Sequence, residues 1–419
     1  MICTYFSAII TIFLLICFPA NAKQSTVLNL DDAYQYILEV NFGLKSTEAK
    51  VQAKKGEKRQ AGASPNPSLE IGLEDIGRMS GGSENELFVG ITQVVETAGK
   101  RSARIRVANA DLCMADWEYE TEKKDLLAEI VHSFITMASV QERVALAQKQ
   151  EKIAEHFFSA VVEKLRFGKS SAIEQKRAEI ALKTAKINLN RQKANLNKAK
   201  RELASLWNNT PPLFDEVSFP LYRLHAPPTL EMLNQQLEAS PVLAQAAAKT
   251  TRATEIVSLE KAQRIPDVAL TVGVTAEKFV QEPALAVGFA MPIPIFNSNK
   301  GNINRAYNEQ IQAIYEQMDT EASLKAELAA HYEDWIGSYE QATALREAVL
   351  PTADESFQLA QTGYNEGKFN YLQYLDANST FIDVREQYLD AITEYHHKRT
   401  EVLRLIAACS CDEFQEEQQ

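Results

Sequence analysis

The amino-acid sequence predicts an α+β membrane protein with an internal duplication, in which long antiparallel helical hairpins are joined to short strands able to cross a bilayer. Three observations lead there. The second half repeats the motif order of the first, four segments alternate between apolar and small or polar residues, and the remainder runs very far without helix breakers. Leu30-Asp31 returns as Leu230-Glu231, Asn41-Phe42-Gly43-Leu44 as Ser240-Pro241-Val242-Leu243, and Pro65 with Leu69 and Gly72 as Pro266 with Leu270 and Gly273. Gly90 answers Gly288, Gly168-Lys169 answers Gly367-Lys368, and Glu202-Leu203 answers Glu401-Val402. An offset of about 200 residues, kept along nearly the whole chain, marks duplication of one large unit and not a solenoid of short repeats.

Residues 1–22 read as a signal peptide. The apolar run from Ile9 to Phe18 is too short to anchor in a bilayer, and Ala20-Asn21-Ala22 supplies a small-x-small cleavage site before Lys23. Lipid attachment at Cys17 is disfavoured by Ile16, which stands where a small residue is expected. No later stretch of about 20 apolar residues occurs, so a membrane role has to come from a barrel or a surface contact. The net charge of −12 argues against nucleic acid as a partner. Cys113, Cys409 and Cys411 remain after cleavage, and the pairing of the last two stays open.

Repeat 1 is assigned to residues 23–207 and repeat 2 to residues 229–408, with a Pro-rich linker at 208–228 and a tail at 409–419. Strands are expected at 67–75, 86–95, 267–276 and 284–292. Leu69, Ile71 and Leu73 alternate with Glu70, Gly72 and Glu74, and Leu87, Val89 and Ile91 with Phe88, Gly90 and Thr92. Val268, Leu270, Val272 and Val274 oppose Ala269, Thr271, Gly273 and Thr275; Leu285, Val287, Phe289 and Met291 oppose Ala284, Ala286, Gly288 and Ala290. Hairpins of a soluble sheet would alternate too. Small and polar opposite faces, with polar loops at 75–85 and 276–283, favour strands between lipid and a lumen. Four strands cannot close a barrel, and open edges in hydrocarbon leave backbone groups unsatisfied, so oligomerisation follows.

The helices come next. Residues 99–165 contain no Pro and no Gly beyond Gly99, enough for a rod of about 100 Å. Ser171-Ala172-Ile173-Glu174 is a capping-box pattern that opens a second helix to residue 207, after a reversal at residues 166–170. Residues 304–362 and 371–408 repeat the arrangement around 363–370, and Pro351 predicts a kink or break. Apolar stripes interrupted by Lys, Glu and Gln suit rods sandwiched between neighbours. The basic run from Lys183 to Arg201 reads as a solvated or intersubunit face.

Three stretches are similar to a known family: TQVVETAGKRSAR at 92–104 with Gly99, Lys100 and Arg101, PIPIFNSNKGNI at 292–303 with Pro292, Pro294, Phe296 and Asn297, and YNEGKFNYLQYLDA at 364–377. They resemble the TolC-like outer membrane efflux proteins, in particular their heavy-metal branch. Ala98 stands where that branch usually has Gly, and Phe42 where it usually has Pro. The resemblance implies a homotrimer whose four strands per chain close a twelve-stranded β-barrel in outer membrane lipid, continued by an α-barrel into the periplasm. It implies a periplasmic adaptor, met at tips formed by Arg166, Gly168, Lys169, Gly363, Tyr364, Gly367 and Lys368. It also implies an inner-membrane proton-driven pump of the resistance-nodulation-division type, heavy-metal cations as cargo, and no cofactor. Drugs or secreted proteins are the alternative cargo; a periplasmic coiled-coil scaffold is the alternative class. By the same resemblance Gln373 and Asp376 fall at the periplasmic gate, where only Asp376 keeps a charge that would favour cations. The other reading of Asp376 is a solvated helix carboxylate.

An enzyme is not expected. The chain lacks a Gly-rich phosphate loop, a nucleophile elbow and a His-Glu-x-x-His motif. His331 with Glu333 and Asp334, and the pair His396-His397, read as interface or surface residues in preference to metal ligands.

Overall fold

A computed structural model describes residues 27–74, 86–208, 212, 214–277 and 283–406. The signal peptide, most of both strand loops, and Cys409 and Cys411 lie outside the described residues. The first half contains β1 (Val27–Leu28), α1 (Leu30–Val40), α2 (Phe42–Ala61), β2 (Ser68–Glu74), β3 (Glu86–Val95), α3 (Lys100–Arg166) and α4 (Ala172–Ser205). The second repeats that order with β4 (Glu216–Val217), α5 (Leu230–Leu237), α6 (Pro241–Gln263), β5 (Val268–Glu277), β6 (Ala284–Ala290), α7 (Lys300–Ala344), α8 (Leu350–Asn365) and α9 (Tyr371–Leu405).

The four long strands form one antiparallel sheet in the order β2-β3-β5-β6, so β3 and β5 join the two repeats at its centre. The register stacks Leu69 on Ile91, Ile91 on Val272, and Val272 on Val287, so the alternation of each strand merges into one apolar face. That face is open: Ile71 is 68% and Phe289 80% exposed. On the opposite face Thr92 and Thr271 meet hydroxyl to hydroxyl at 2.8 Å. Phe88 breaks the rule of small residues there, and glycine accommodates it. A Cβ on Gly90 or Gly273 would stand 2.4 or 2.5 Å from its ring, so the ring lies flat over the Gly90–Gly273 pair.

α3 is unbroken for 67 residues. Its start follows Ala98 and Gly99, both left-handed at φ 55° and 70°, a conformation that glycine adopts without the penalty a Cβ brings. The capping box at α4 forms as expected: Ser171 Oγ accepts from the Glu174 N–H at 3.2 Å, and the Glu174 carboxylate from the Ser171 N–H at 3.4 Å. At Pro351, where a kink or break was expected, the helical run departs from α geometry without ending. A π-helical turn, Leu345–Val349, precedes it, and α8 continues to Asn365. A proline supplies no N–H and crowds the carbonyl one turn back; widening that turn absorbs both defects. α7 also begins earlier than expected, at Lys300.

The sequence reading placed no helices at α1, α2, α5 and α6, and the structure adds them to the plan. α1 buries Leu30, Ala33, Tyr34 and Ile37, one amphipathic face. The Pro-rich segment between the repeats is bound into the core: β4 pairs parallel with β1, and Phe214, Val217 and Leu221 are buried. Gln141 brackets Val217, accepting from its N–H at 2.9 Å and donating to its carbonyl at 3.2 Å. Tyr395, fully buried, both accepts from the His225 N–H and donates to the His225 carbonyl at 2.9 Å.

Candidate functional site

The two places where strands pass into helices are built differently. After β3, Lys100 is buried and its Nζ lies 2.6 Å from Asp267 Oδ1, just ahead of β5. The same carboxylate accepts from the Thr97 N–H at 2.9 Å, and the Thr97 hydroxyl donates to the Pro266 carbonyl at 2.7 Å. Burial pushes the Asp267 carboxyl up, but hydrogen bonds from Lys100 and Thr97 outweigh it and hold the group below its ordinary value. Glu96 is held low chiefly by its hydrogen bond to Arg104. Gly99 supplies the left-handed turn, while Arg101 points to solvent. The motif expected to mark the strand exit is thus a latch tying the end of β3 to the start of β5.

After β6 the chain is apolar and open. Pro292, Ile293, Pro294, Ile295, Phe296 and Asn297 are all exposed, and Phe296 is wholly so. Asn297 Oδ1 accepts from the Asn299 N–H at 3.1 Å. Asn299, left-handed like Gly99, donates from its side chain to the Glu260 carbonyl and carboxylate at 2.9 and 2.8 Å.

At the far end, the hairpins turn at Gly168 (φ 68°) and Gly367 (φ 76°), where a Cβ would meet open space. Arg166, Lys169 and Lys368 lie within or beside these turns, and Phe167 is exposed. Gly363 and Tyr364 sit differently. A Cβ on Gly363 would stand 2.2 Å from the Phe369 ring, and Tyr364 is buried beneath Lys164, whose ammonium lies 3.9 Å from the ring centroid. Tyr364 therefore supports the tip from within. Gln373 closes a capping box with Asn370, accepting from the Asn370 N–H at 2.9 Å. Asp376 is exposed on the next turn of α9.

Beneath the tip lies an aromatic cluster that the sequence reading missed: Phe357, Tyr364, Tyr371, Tyr374 and Phe381 around Phe157. Phe157 stacks on Tyr374 at 4.6 Å and Phe357 on Phe381 at 4.9 Å. The signal was a strict heptad, Tyr374, Phe381, Tyr388, Tyr395 and Val402, all buried along α9. A groove of about 720 Å³ between α3, α4 and α9 adjoins the cluster, walled by Ile153, Ile180, Ile187 and Leu375 and flanked by Arg177 and Arg191.

The histidines serve the packing. His396 is buried and donates from Nε2 to the Leu221 carbonyl at 2.9 Å; burial pushes it down to about 3. His397 stacks on His132 at 4.7 Å, and burial, then the neighbouring His132, push it down to about 4. His132 Nε2 lies 2.8 Å from Glu401. Among the described residues no group of three or more His, Cys, Asp or Glu side chains is arranged to hold a metal ion, and no helix is long and apolar enough to cross a membrane.

A family profile described as outer membrane efflux protein matches residues 33–209 and again residues 232–408, one match to each repeat. The chain is 30% identical to the cobalt-zinc-cadmium resistance protein CzcC of Cupriavidus metallidurans, over 93% of this chain and 92% of that one. Among solved structures, CusC superposes with a TM-score of 0.76 at 16% identity, covering 93% of this chain and 95% of that one. The outer membrane protein VceC of Vibrio cholerae superposes with a TM-score of 0.74 at 16% identity, covering 90% and 95%.

Proposed function

The chain belongs to the outer membrane efflux protein family, and from that premise we propose that three copies form the exit duct of a tripartite pump that expels divalent heavy-metal cations. The observation that carries the duct is the four-stranded sheet, with one continuous apolar face and its outer strands β2 and β6 unpaired on their free sides among the described residues. In lipid such edges require closure by further strands. The helices pose the same demand: Ile173, Ile180 and Ile187 repeat at heptad spacing along α4 and remain 67, 65 and 69% exposed. A neighbouring chain covers such a seam in an α-barrel.

The metal cargo rests on the likeness to a cobalt-zinc-cadmium resistance protein over nearly the full length of both chains. A duct need not bind its cargo tightly, because transport requires release as readily as uptake. The turns at Gly168 and Gly367, with Arg166, Lys169 and Lys368, face the periplasmic adaptor, and the adaptor links the duct to a proton-driven pump in the inner membrane. Gly363 and Tyr364 hold that surface in shape. Asp376, one carboxylate from each of three chains, forms the cation-favouring ring at the entrance, and Gln373 fixes the helix start that carries it.

The test is growth of a deletion strain on graded zinc, cobalt and cadmium. Loss of tolerance to these ions, restored by the wild-type chain, is the expected result. Sensitivity only to hydrophobic drugs would reassign the cargo. Bulky substitution of Gly168 or Gly367 is expected to abolish resistance while unheated trimers persist; loss of the trimer would refute the docking role.

A further inference from the structure

The outward stripe of β6 does not stop where the strand stops. Leu285, Val287 and Phe289 lie on the open face of the strand, and Met291, Ile293 and Ile295 continue at the same spacing after its ladder has ended. Exposure stays high along the run, at 74, 73, 80, 51, 74 and 74%, and Phe296 follows at 100%. Leaving one such side chain in water instead of burying it forgoes about 1.5–3 kcal/mol, so seven in succession imply a non-aqueous surrounding. The strand's share of the stripe faces lipid, and its continuity carries that surrounding past the strand end.

The backbone suits the same place. Pro292 and Pro294 have no N–H, and Ile295 donates to the Ile293 carbonyl at 2.9 Å, so three of the seven positions present no free backbone donor, which lowers the cost of a medium that cannot satisfy one. Arg101, Arg264 and Lys300 are exposed at this same end of the sheet, where cations complement anionic headgroups. The matching segment of repeat 1 has none of this character, because Glu96, Thr97 and Lys100 there are engaged with protein.

We propose that residues 291–297 lie in the periplasmic leaflet of the outer membrane, with Ile293, Ile295 and Phe296 set among the acyl chains below the headgroups. The second repeat alone would then fix the depth of the duct in the bilayer. This rests on the channel reading above. The test reconstitutes full-length Phe296→Trp and, separately, Phe289→Trp in phosphatidylethanolamine and phosphatidylglycerol vesicles whose acyl chains are brominated either near the headgroup or near the terminus. The added emission is read against wild type, whose Trp117, Trp207 and Trp335 lie in or beside the long helices. Loss of most of the added Phe296→Trp emission, stronger with shallow than with deep bromine, is expected. No quenching at 296 alongside quenching at 289 would overturn the inference, placing the segment against a neighbouring chain or water. No quenching at either position would overturn the channel reading itself. Should Phe296→Trp fail to form heat-modifiable trimers, Ile293→Trp reads the same comparison.

Discussion

The two strand exits occupy matching places in the duplicated plan and are made of opposite materials. Beyond β3, Lys100, Thr97 and Asp267 interlock with Glu96 and Arg104 at their side; beyond β6, Ile293, Ile295 and Phe296 stand open, and Asn299 with Glu260 is the polar tie. The helical hairpins diverge in the same manner. α3 runs unbroken, whereas its counterpart is interrupted by a π-helical turn at Leu345–Val349. α4 buries Ala178, Leu189, Ala199 and Leu203, while α9 buries a column of tyrosines and phenylalanine. Duplication preserved the order of elements and released the joints between them. One joint is ionic and tied to the neighbouring strand, the other apolar and open.

That contrast can be broken most forcefully at the latch. Lys100→Met removes the cation from Asp267, leaving Thr97 as its hydrogen-bonding partner, and is expected to cost about 2–3 kcal/mol, lowering the temperature at which trimers dissociate in detergent. Asn299→Gly, in the matching turn of repeat 2, removes the bonds to Glu260 without straining the left-handed backbone and is expected to cost about 1 kcal/mol. Equal losses would erase the distinction between the joints.

Acid should single out repeat 2, since His396 and His397 both lie on α9 and their matches on α4, Asn197 and Lys198, are exposed and not histidine. Both histidines have folded values below the unfolded one, at about 3 and about 4. Their contribution is therefore complete above pH ~6.5 and is lost as the pH falls below it, because the unfolded chain takes up protons first. For His396 the loss is about 2 kcal/mol by pH ~5. Hydrogen exchange should rise first along α9 on acidification, and uniform change in α4 and α9 would contradict the assignment.

The tips offer a smaller contrast. Gly363→Ala drives a methyl group into Phe369 and should cost about 1–2 kcal/mol. Gly168→Ala meets open space and pays only for its left-handed backbone, about 1 kcal/mol. Protease sensitivity of each turn reads the difference. Asp376→Ala should leave stability unchanged and shift cation preference in planar bilayers; an unchanged preference removes it from the entrance.

The strands were legible because a side-chain period of two, with one face open and the other small, survives in a single sequence. Gly99, Ser171 and Glu174 announced helix starts by local chemistry. The latch was illegible for the opposite reason, since Lys100 and Asp267 stand 167 residues apart and only the β3–β5 pairing brings them together. α2 escaped notice because it buries only Leu44 and Val51 and shows no apolar stripe. Pro351 announced a kink or break, and the irregularity lies just before it as a π-helical turn that leaves no mark of its own in the sequence. The aromatic heptad of α9 lay open in the sequence, and its meaning came only with the cluster around Phe157.

The central claim is that three of these chains make one conducting duct. Purified from outer membranes without heating and added to planar lipid bilayers, the protein should migrate as a heat-modifiable trimer and give discrete, cation-preferring conductance steps. A monomer that stays in the aqueous phase and produces no steps would contradict the account.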